Sequence, residues 1–76
     1  MLDRIAISPD IHFGKPCVTG TRITVQNVLE LVGEGLSFTE ISRDDYPELA
    51  DEDIRACLRY ATALVAAEDI HLATAA

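Results

Sequence analysis

The sequence contains no tryptophan, and phenylalanine and tyrosine together make up only 5% of its 76 residues. Hydrophobic residues nevertheless account for 49%, which excludes a disordered chain. The core is therefore expected to be aliphatic. Because a chain of this length buries only about 60% of the surface that its unfolded form exposes, we expect one small domain over residues 1–76. Such a domain commonly gains stability by association, so we predict a homodimer.

Cysteine is also scarce. The two cysteines, Cys17 and Cys57, are too few for a disulfide scaffold. Residues 1–4 lack the apolar segment of a signal peptide, and no hydrophobic run is long enough to span a membrane. We therefore expect a protein of the reducing cytoplasm that does not enter membranes and buries both thiols as small hydrophobic side chains.

Basic residues number only six against 13 acidic residues, which gives a net charge of −7. Contacts to a phosphate backbone depend on lysine and arginine, so this balance argues against an extensively basic DNA-binding face. Residues 1–24 contain three basic and two acidic residues and so carry +1. The excess negative charge lies in the rest of the chain.

The first 23 residues predict a β-rich arm. Period-two alternation and turn residues predict three short strands, at residues 5–8, 15–18 and 21–23. Between the last two, Thr19 and Gly20 form a two-residue turn signal in which Gly20 supplies the positive φ. Because a two-stranded hairpin is not stable alone, a second chain could complete the sheet. We expect residues 4–23 to lie against that chain.

Three helices are predicted over residues 24–67. Thr24 is a suitable N-cap for a first helix from about residue 25 to 34. The second helix has the strongest start signal, because Ser37 and Glu40 form a capping box. It must end by about residue 45, since Pro47 cannot continue it.

Asp51 is the predicted N-cap of the third helix, which should run from residue 52 to at least residue 67. Residues 68–76 are expected to fray. Its core-facing stripe comprises Ile54, Cys57, Leu58, Ala61, either Leu64 or Val65, and Glu68. The fold class is therefore mainly α, a three-helix homeodomain-like or helix-turn-helix bundle with a short N-terminal β-hairpin arm.

The glycine-rich segment from Gly14 to Arg22 does not fit a phosphate-binding loop. That loop needs a lysine directly after its second glycine, whereas Thr21 follows Gly20 here. The favoured interpretation is structural, with Gly14, Pro16, Gly20 and Thr21 shaping the arm and Arg22 paired to a helix carboxylate. A contact of Lys15 and Arg22 with DNA or a protein partner stays open.

Arg55 and Arg59 lie four residues apart on the third helix, opposite its apolar stripe. A recognition helix presents side chains to the major groove from such a face. The alternative is a solvated or partner-binding face on which Glu52 and Asp51 pair with these arginines. Residues 37–60 contain three arginines, including Arg43, against seven acids, which favours the alternative.

Neither catalysis nor metal binding is indicated. His12, Cys17, Cys57 and His71 have spacings that match no standard zinc pattern. No serine or cysteine has a neighbouring base, and a chain of this size offers little room for a pocket. We expect no enzyme activity and no cofactor.

Several motifs together resemble domain-of-unknown-function family 433, and the resemblance covers about residues 4–61. The most specific are Gly14-Lys15-Pro16 and Gly20-Thr21-Arg22-Ile23-x-Val25. Further matches are Ser8-Pro9-Asp10-Ile11, Gly35-Leu36-Ser37-x-x-Glu40-Ile41, Tyr46-Pro47-x-Leu49, Asp53-Ile54 and Tyr60-Ala61. The sequence departs from the family at Ser8, where aspartate is more usual.

The resemblance implies a small bacterial or archaeal protein with a homeodomain-like helical core. Members look like antitoxins, often paired with a small nuclease-type, PIN-related toxin, and some are expected to repress their own operon. The leading hypothesis is thus an antitoxin-like homodimer that neutralises a cognate toxin and binds operator DNA. The alternative is a stand-alone dimeric DNA-binding regulator. Lys15, Arg22, Arg43, Arg55 and Arg59 are the candidate binding residues.

Overall fold

The computed structural model describes residues 4–75, with side-chain environments for residues 4–67. Two short strands precede three helices, which confirms the predicted fold class. The elements are β1 (Ile5–Ala6), β2 (Cys17–Val18), α1 (Val25–Gly33), α2 (Phe38–Glu40), which continues as a π-helical turn (Ile41–Asp45), and α3 (Asp51–Ala75). Within the described part of the chain, no helix has both the length and the apolar character to cross a membrane.

The two strands pair antiparallel within the chain, with Ile5 opposite Val18. The predicted third strand at residues 21–23 is wrong. Those residues form a turn, after which Thr24 makes a single isolated bridge to Cys17. The Thr21 hydroxyl explains the difference, because it accepts from the Ile23 N–H at 3.0 Å and donates to the Val18 carbonyl at 2.9 Å. These local bonds replace ladder bonds.

The turn leads directly into α1. Its backbone is closed by the Val18 N–H donating to the Ile23 carbonyl at 2.9 Å. The Val25 N–H donates to the Pro16 carbonyl at 2.9 Å, and the Thr24 hydroxyl accepts from the Asn27 N–H at 3.1 Å. The predicted Thr24 cap is therefore confirmed, and the arm and first helix are fixed by one set of bonds.

The predicted capping box of α2 is also confirmed. The Glu40 N–H donates to the Ser37 hydroxyl at 3.1 Å, and the Glu40 carboxylate accepts from the Ser37 N–H at 2.8 Å. The backbone hydrogen bond from Ser37 lowers the pKa of Glu40. After Glu40 the helix widens into the π-helical turn, in which the Tyr46 N–H donates to the Ile41 carbonyl at 2.8 Å. Pro47 follows, so the helix ends where predicted.

The third helix begins at Asp51, but the N-cap prediction for that residue is wrong. The side chain that caps this end belongs to Asp53, whose carboxylate accepts from the Ala50 N–H at 2.9 Å. At 1.5 Å per residue, the 25 residues of α3 extend about 37 Å, close to the 41 Å longest dimension of the molecule. Fraying of residues 68–76 stays a prediction, and Ala76 lies outside the described residues.

The core is aliphatic, as predicted, and it contains residues of both the arm and the helices. Both cysteine side chains are buried and unpaired, as expected. The buried residues of α3 end at Cys57, with Tyr60 packed against them. The predicted core positions beyond it are therefore wrong: Leu58 and Ala61 are half-buried and lie outside the cluster. Leu64 and Val65, of which one was expected in the core, are 51% and 62% exposed. Glu68 lies outside the described side chains. The buried cluster comprises Ile5, Val18, Ile23, Val25, Val28, Ile41, Leu49, Ile54, Ala56 and Cys57.

Two glycines provide a matched test of the turn. No atom lies within 4 Å of a Cβ placed at Gly20 or at Gly33, but Gly20 has φ +82° whereas Gly33 is helical. Gly20→Ala should therefore lower the free energy of unfolding by about 1 kcal/mol through backbone strain. Gly33→Ala should raise it by roughly 0.5–1 kcal/mol. Urea denaturation measures both, and equal effects of the two substitutions would contradict the assigned turn.

Candidate interaction surface

Three of the six basic side chains are held by carboxylates. Arg4 pairs with Asp53 at 2.9 Å, which joins the arm to the start of α3. Arg43 pairs with the neighbouring Asp44 at 2.8 Å, and this contact raises the pKa of Arg43 and lowers that of Asp44. The arm-to-helix ion pair predicted for Arg22 is thus made by Arg4 instead.

Arg55 is held from two sides. It forms the predicted pair with Glu52, at 2.8 Å, and its guanidinium lies over the Phe38 ring, 5.4 Å from the ring centre. Asp51, the other predicted partner, makes no salt bridge with a side chain among residues 4–67. Arg55 therefore serves the junction of α2 and α3, and a ligand would have to displace Glu52 to engage it.

The remaining cations, Lys15, Arg22 and Arg59, are exposed. None of them forms a salt bridge with another side chain of residues 4–67. A partner could engage these charges without first breaking an intramolecular ion pair. Sequence reasoning named all five candidate cations, but only the structure separates the paired from the unpaired.

The outer surface of α3 beyond the core carries both charge and apolar area. Arg59, Thr62 and Ala66 succeed one another at spacings of three and four and so share one side of the helix. A shallow depression of about 400 Å³ adjoins them, lined by Leu58, Ala61, Thr62, Val65 and Ala66. We call Leu58, Arg59, Thr62, Val65 and Ala66 the distal face of α3.

A second apolar surface lies on another side of the same helix. It is an open groove of about 430 Å³ between α1, α3 and the segment after the His12–Gly14 turn. Lys15, Gln26 and Glu30 supply its polar rim. We call it the α1–α3 groove, and its apolar lining consists of Pro16, Val25, Leu29, Tyr60, Ala61 and Leu64.

Beside the groove, the turn His12–Gly14 presents a fully exposed phenylalanine. Its three residues all have positive φ: 51° at His12, 57° at Phe13 and 86° at Gly14. Nε2 of His12 hydrogen-bonds the Arg22 carbonyl at 2.8 Å, and the Lys15 N–H donates to the His12 carbonyl at 3.2 Å. Two consecutive non-glycine residues in this region are uncommon. No sequence signal here indicated either the backbone or the exposure of Phe13.

The residues considered for metal binding have other contacts. His12 bonds the Arg22 carbonyl, and Sγ of Cys17 donates to the Lys15 carbonyl at 3.5 Å. No group of three or more metal-ligating side chains comes together among residues 4–67, and His71 falls outside the described side chains. The described surface thus offers apolar patches and unpaired cations.

These features define a small, mainly helical domain whose apolar patches and unpaired cations are suited to binding. The chain belongs to the family described as protein of unknown function (DUF433), whose model matches residues 5–61. This match confirms the family resemblance. No curated protein and no solved structure matches. The family match ends at Ala61, so most of the distal face of α3 lies outside it.

Cys57 provides a test of the buried junction between arm and helices. Burial raises the pKa of its thiol to about 11, and the charge of Asp53 adds to the effect. The unfolded thiol has a pKa of about 8.5, so stability should be unaffected below that pH and fall as the pH rises towards 11. The free energy of unfolding should fall by roughly 3 kcal/mol over this range. In urea denaturation between pH 8 and 11, the free energy of unfolding of Cys57→Ala should fall less steeply with pH than that of the wild type. Equal slopes for the two proteins would contradict the burial of Cys57.

Proposed function

We propose that the protein is an antitoxin-like homodimer that binds and neutralises a small nuclease-type, PIN-related toxin in the cytoplasm. The observation that carries the proposal is the distal face of α3. There Arg59, which forms no salt bridge within residues 4–67, adjoins exposed apolar side chains on a helix that extends past its own core. Contiguous exposed apolar surface of this kind is typical of binding sites for other proteins.

The apolar part of the distal face would supply the binding free energy. Val65 is 62% exposed, and it adjoins Leu58 and Ala66 in the shallow depression. An amphipathic helix buries such a stripe when it docks in the hydrophobic groove of a partner. The toxin is accordingly expected to offer an apolar groove that accepts α3 side-on.

The charged part would provide inhibition. A nuclease that uses Mg²⁺ holds the ion with carboxylates, and an arginine can occupy such an acidic site. Arg59 is suited to this role because it has no ion-pair partner among residues 4–67, whereas Arg55 would have to leave Glu52. The net charge of −7 would in turn attract basic surfaces elsewhere on the toxin.

Two exposed side chains on the distal face test this proposal. Arg59→Glu and Val65→Glu should each weaken co-purification with the toxin encoded by the adjacent reading frame, and should restore its toxicity in cells. Arg43→Glu is the matched control, because Arg43 is exposed and lies away from the distal face, where it pairs with its neighbour Asp44. Co-elution in size exclusion and cell growth are the measurements. Wild-type behaviour of both distal variants, or failure of the wild-type proteins to co-elute, would contradict the proposal.

Repression of its own operon is a second role within the proposal, and stand-alone DNA binding is the alternative function. The spacing of Arg55 and Arg59 favours DNA contact, since a recognition helix uses such a face. The acidic charge opposes it unless a bound basic toxin supplies positive charge. We therefore expect the complex to bind DNA more tightly than the free chain does.

Gel shifts with the DNA upstream of the gene test this role. The complex should shift the DNA at low salt, and added salt should weaken the shift because phosphate contacts release counterions. Arg59→Ala should weaken it, whereas Arg43→Ala should not. A free chain that binds as tightly as the complex would favour the stand-alone regulator. No shift at low salt, with or without the toxin, would exclude both DNA-binding roles.

A further inference from the structure

We infer that the homodimer forms by reciprocal insertion, in which Phe13 of one copy enters the α1–α3 groove of the second copy. This inference rests on the homodimer in the proposed function and assigns its interface. It uses Tyr60 and Leu64 of α3, which are not part of the distal face of the toxin-binding proposal.

One half of the inferred interface is an exposed aromatic side chain. Phe13 is fully exposed and contributes nothing to the core of its own chain. Its backbone is nevertheless left-handed, at φ 57°, and bonds from its neighbours hold the turn on both sides. An exposed ring that packs against no described part of the core fits a role as an interface anchor, because aromatic residues are enriched in protein interfaces.

The groove is the complementary part. Its floor is apolar, formed chiefly by Leu29 of α1 and by Tyr60 and Leu64 of α3. The Leu64 side chain is about half exposed. An aromatic side chain seated there would cover apolar surface on both partners at little conformational cost, because phenylalanine has only two side-chain torsions.

The two parts are adjacent, which is what a two-fold symmetric dimer requires. Lys15 closes the turn that carries Phe13 and also lines the groove. A two-fold interface uses the same patch on both copies, so the patch must be complementary to itself. A projecting ring beside an apolar groove meets this requirement, and one two-fold axis would fill both grooves.

Charge complementarity is compatible with a second copy. The turn bonds to the backbone of Arg22, whose exposed side chain has no salt bridge within residues 4–67. The rim of the groove carries Glu30, whose carboxylate accepts from the neutral Gln26 amide at 3.3 Å and forms no salt bridge within residues 4–67. Arg22 of one copy can therefore face Glu30 of the other.

Sedimentation velocity on the isolated chain tests the inference without the toxin. The wild type should be a dimer at micromolar concentration, and Phe13→Gly should raise the dimer dissociation constant about tenfold or more. Glycine accepts the left-handed backbone, so thermal unfolding of the variant should show no loss of monomer stability. Val65→Ala, an exposed apolar change on the distal face, is the matched control and should leave dimerisation unchanged.

Disulfide trapping tests the contact itself. Phe13→Cys combined with Leu64→Cys should give a covalent dimer on a non-reducing gel after mild oxidation. Phe13→Cys combined with Val65→Cys should give far less, because Val65 lies on the other face. Both native thiols are buried, so they should not compete for the oxidation.

A monomeric wild type, an unchanged dimer in Phe13→Gly, or equal trapping in the two double variants would overturn the inference. Loss of toxin or nucleic-acid binding by Phe13→Gly with the dimer intact would also overturn it and would assign Phe13 to that partner. Toxin binding that is lost only in Arg59→Glu and Val65→Glu tests the distal face separately, so the two proposals can fail independently.

Discussion

The structure depends on the hydrogen bonds that β2 makes along both of its edges with other segments of its own chain. On one side it pairs with β1, and on the other the Val18 N–H donates to the Ile23 carbonyl and the Val25 N–H to the Pro16 carbonyl. These bonds place the side chains of Val18 and Ile23 in the same buried cluster as Ile54 of α3. The arm thereby positions the first helix, the edge of the α1–α3 groove and the turn that carries Phe13. A sheet completed by a second chain is not needed to bury the strands.

The elements predicted well from sequence were those with a local cause. Ser37 and Glu40 define the start of α2 through bonds three residues apart, and Pro47 ends it by lacking an N–H. The predicted third strand does not form, because the Thr21 hydroxyl hydrogen-bonds backbone groups that a β-ladder would otherwise use. The cap of α3 was misplaced by two residues, since Asp51 and Asp53 both suit a helix start and only the geometry selects Asp53.

Less of the candidate site could be predicted from the sequence, because the site depends on contacts between residues that are far apart in the chain. The five cations could be named, but whether Arg22 or Arg4 reaches an α3 carboxylate depends on how the arm lies across the helix. Helical periodicity could not show where the bundle ends, so Leu64 or Val65 was expected in the core, although both lie beyond it. The segment from Gly14 to Val25 is thus chiefly architectural, and its binding potential is concentrated in Lys15 and Arg22 beside the exposed Phe13.

Native-state hydrogen exchange of the isolated chain measures most directly whether the arm belongs to the cooperative core. The Val18 and Val25 amides lie in the arm and at its end, and the Ile41 amide, which donates to the Ser37 carbonyl at 3.0 Å, reports on the helices. If the arm folds onto its own helices, all three amides should exchange with the same opening free energy, that of global unfolding. Exchange of Val18 and Val25 through a distinctly lower-energy opening, with Ile41 still protected, would contradict the account.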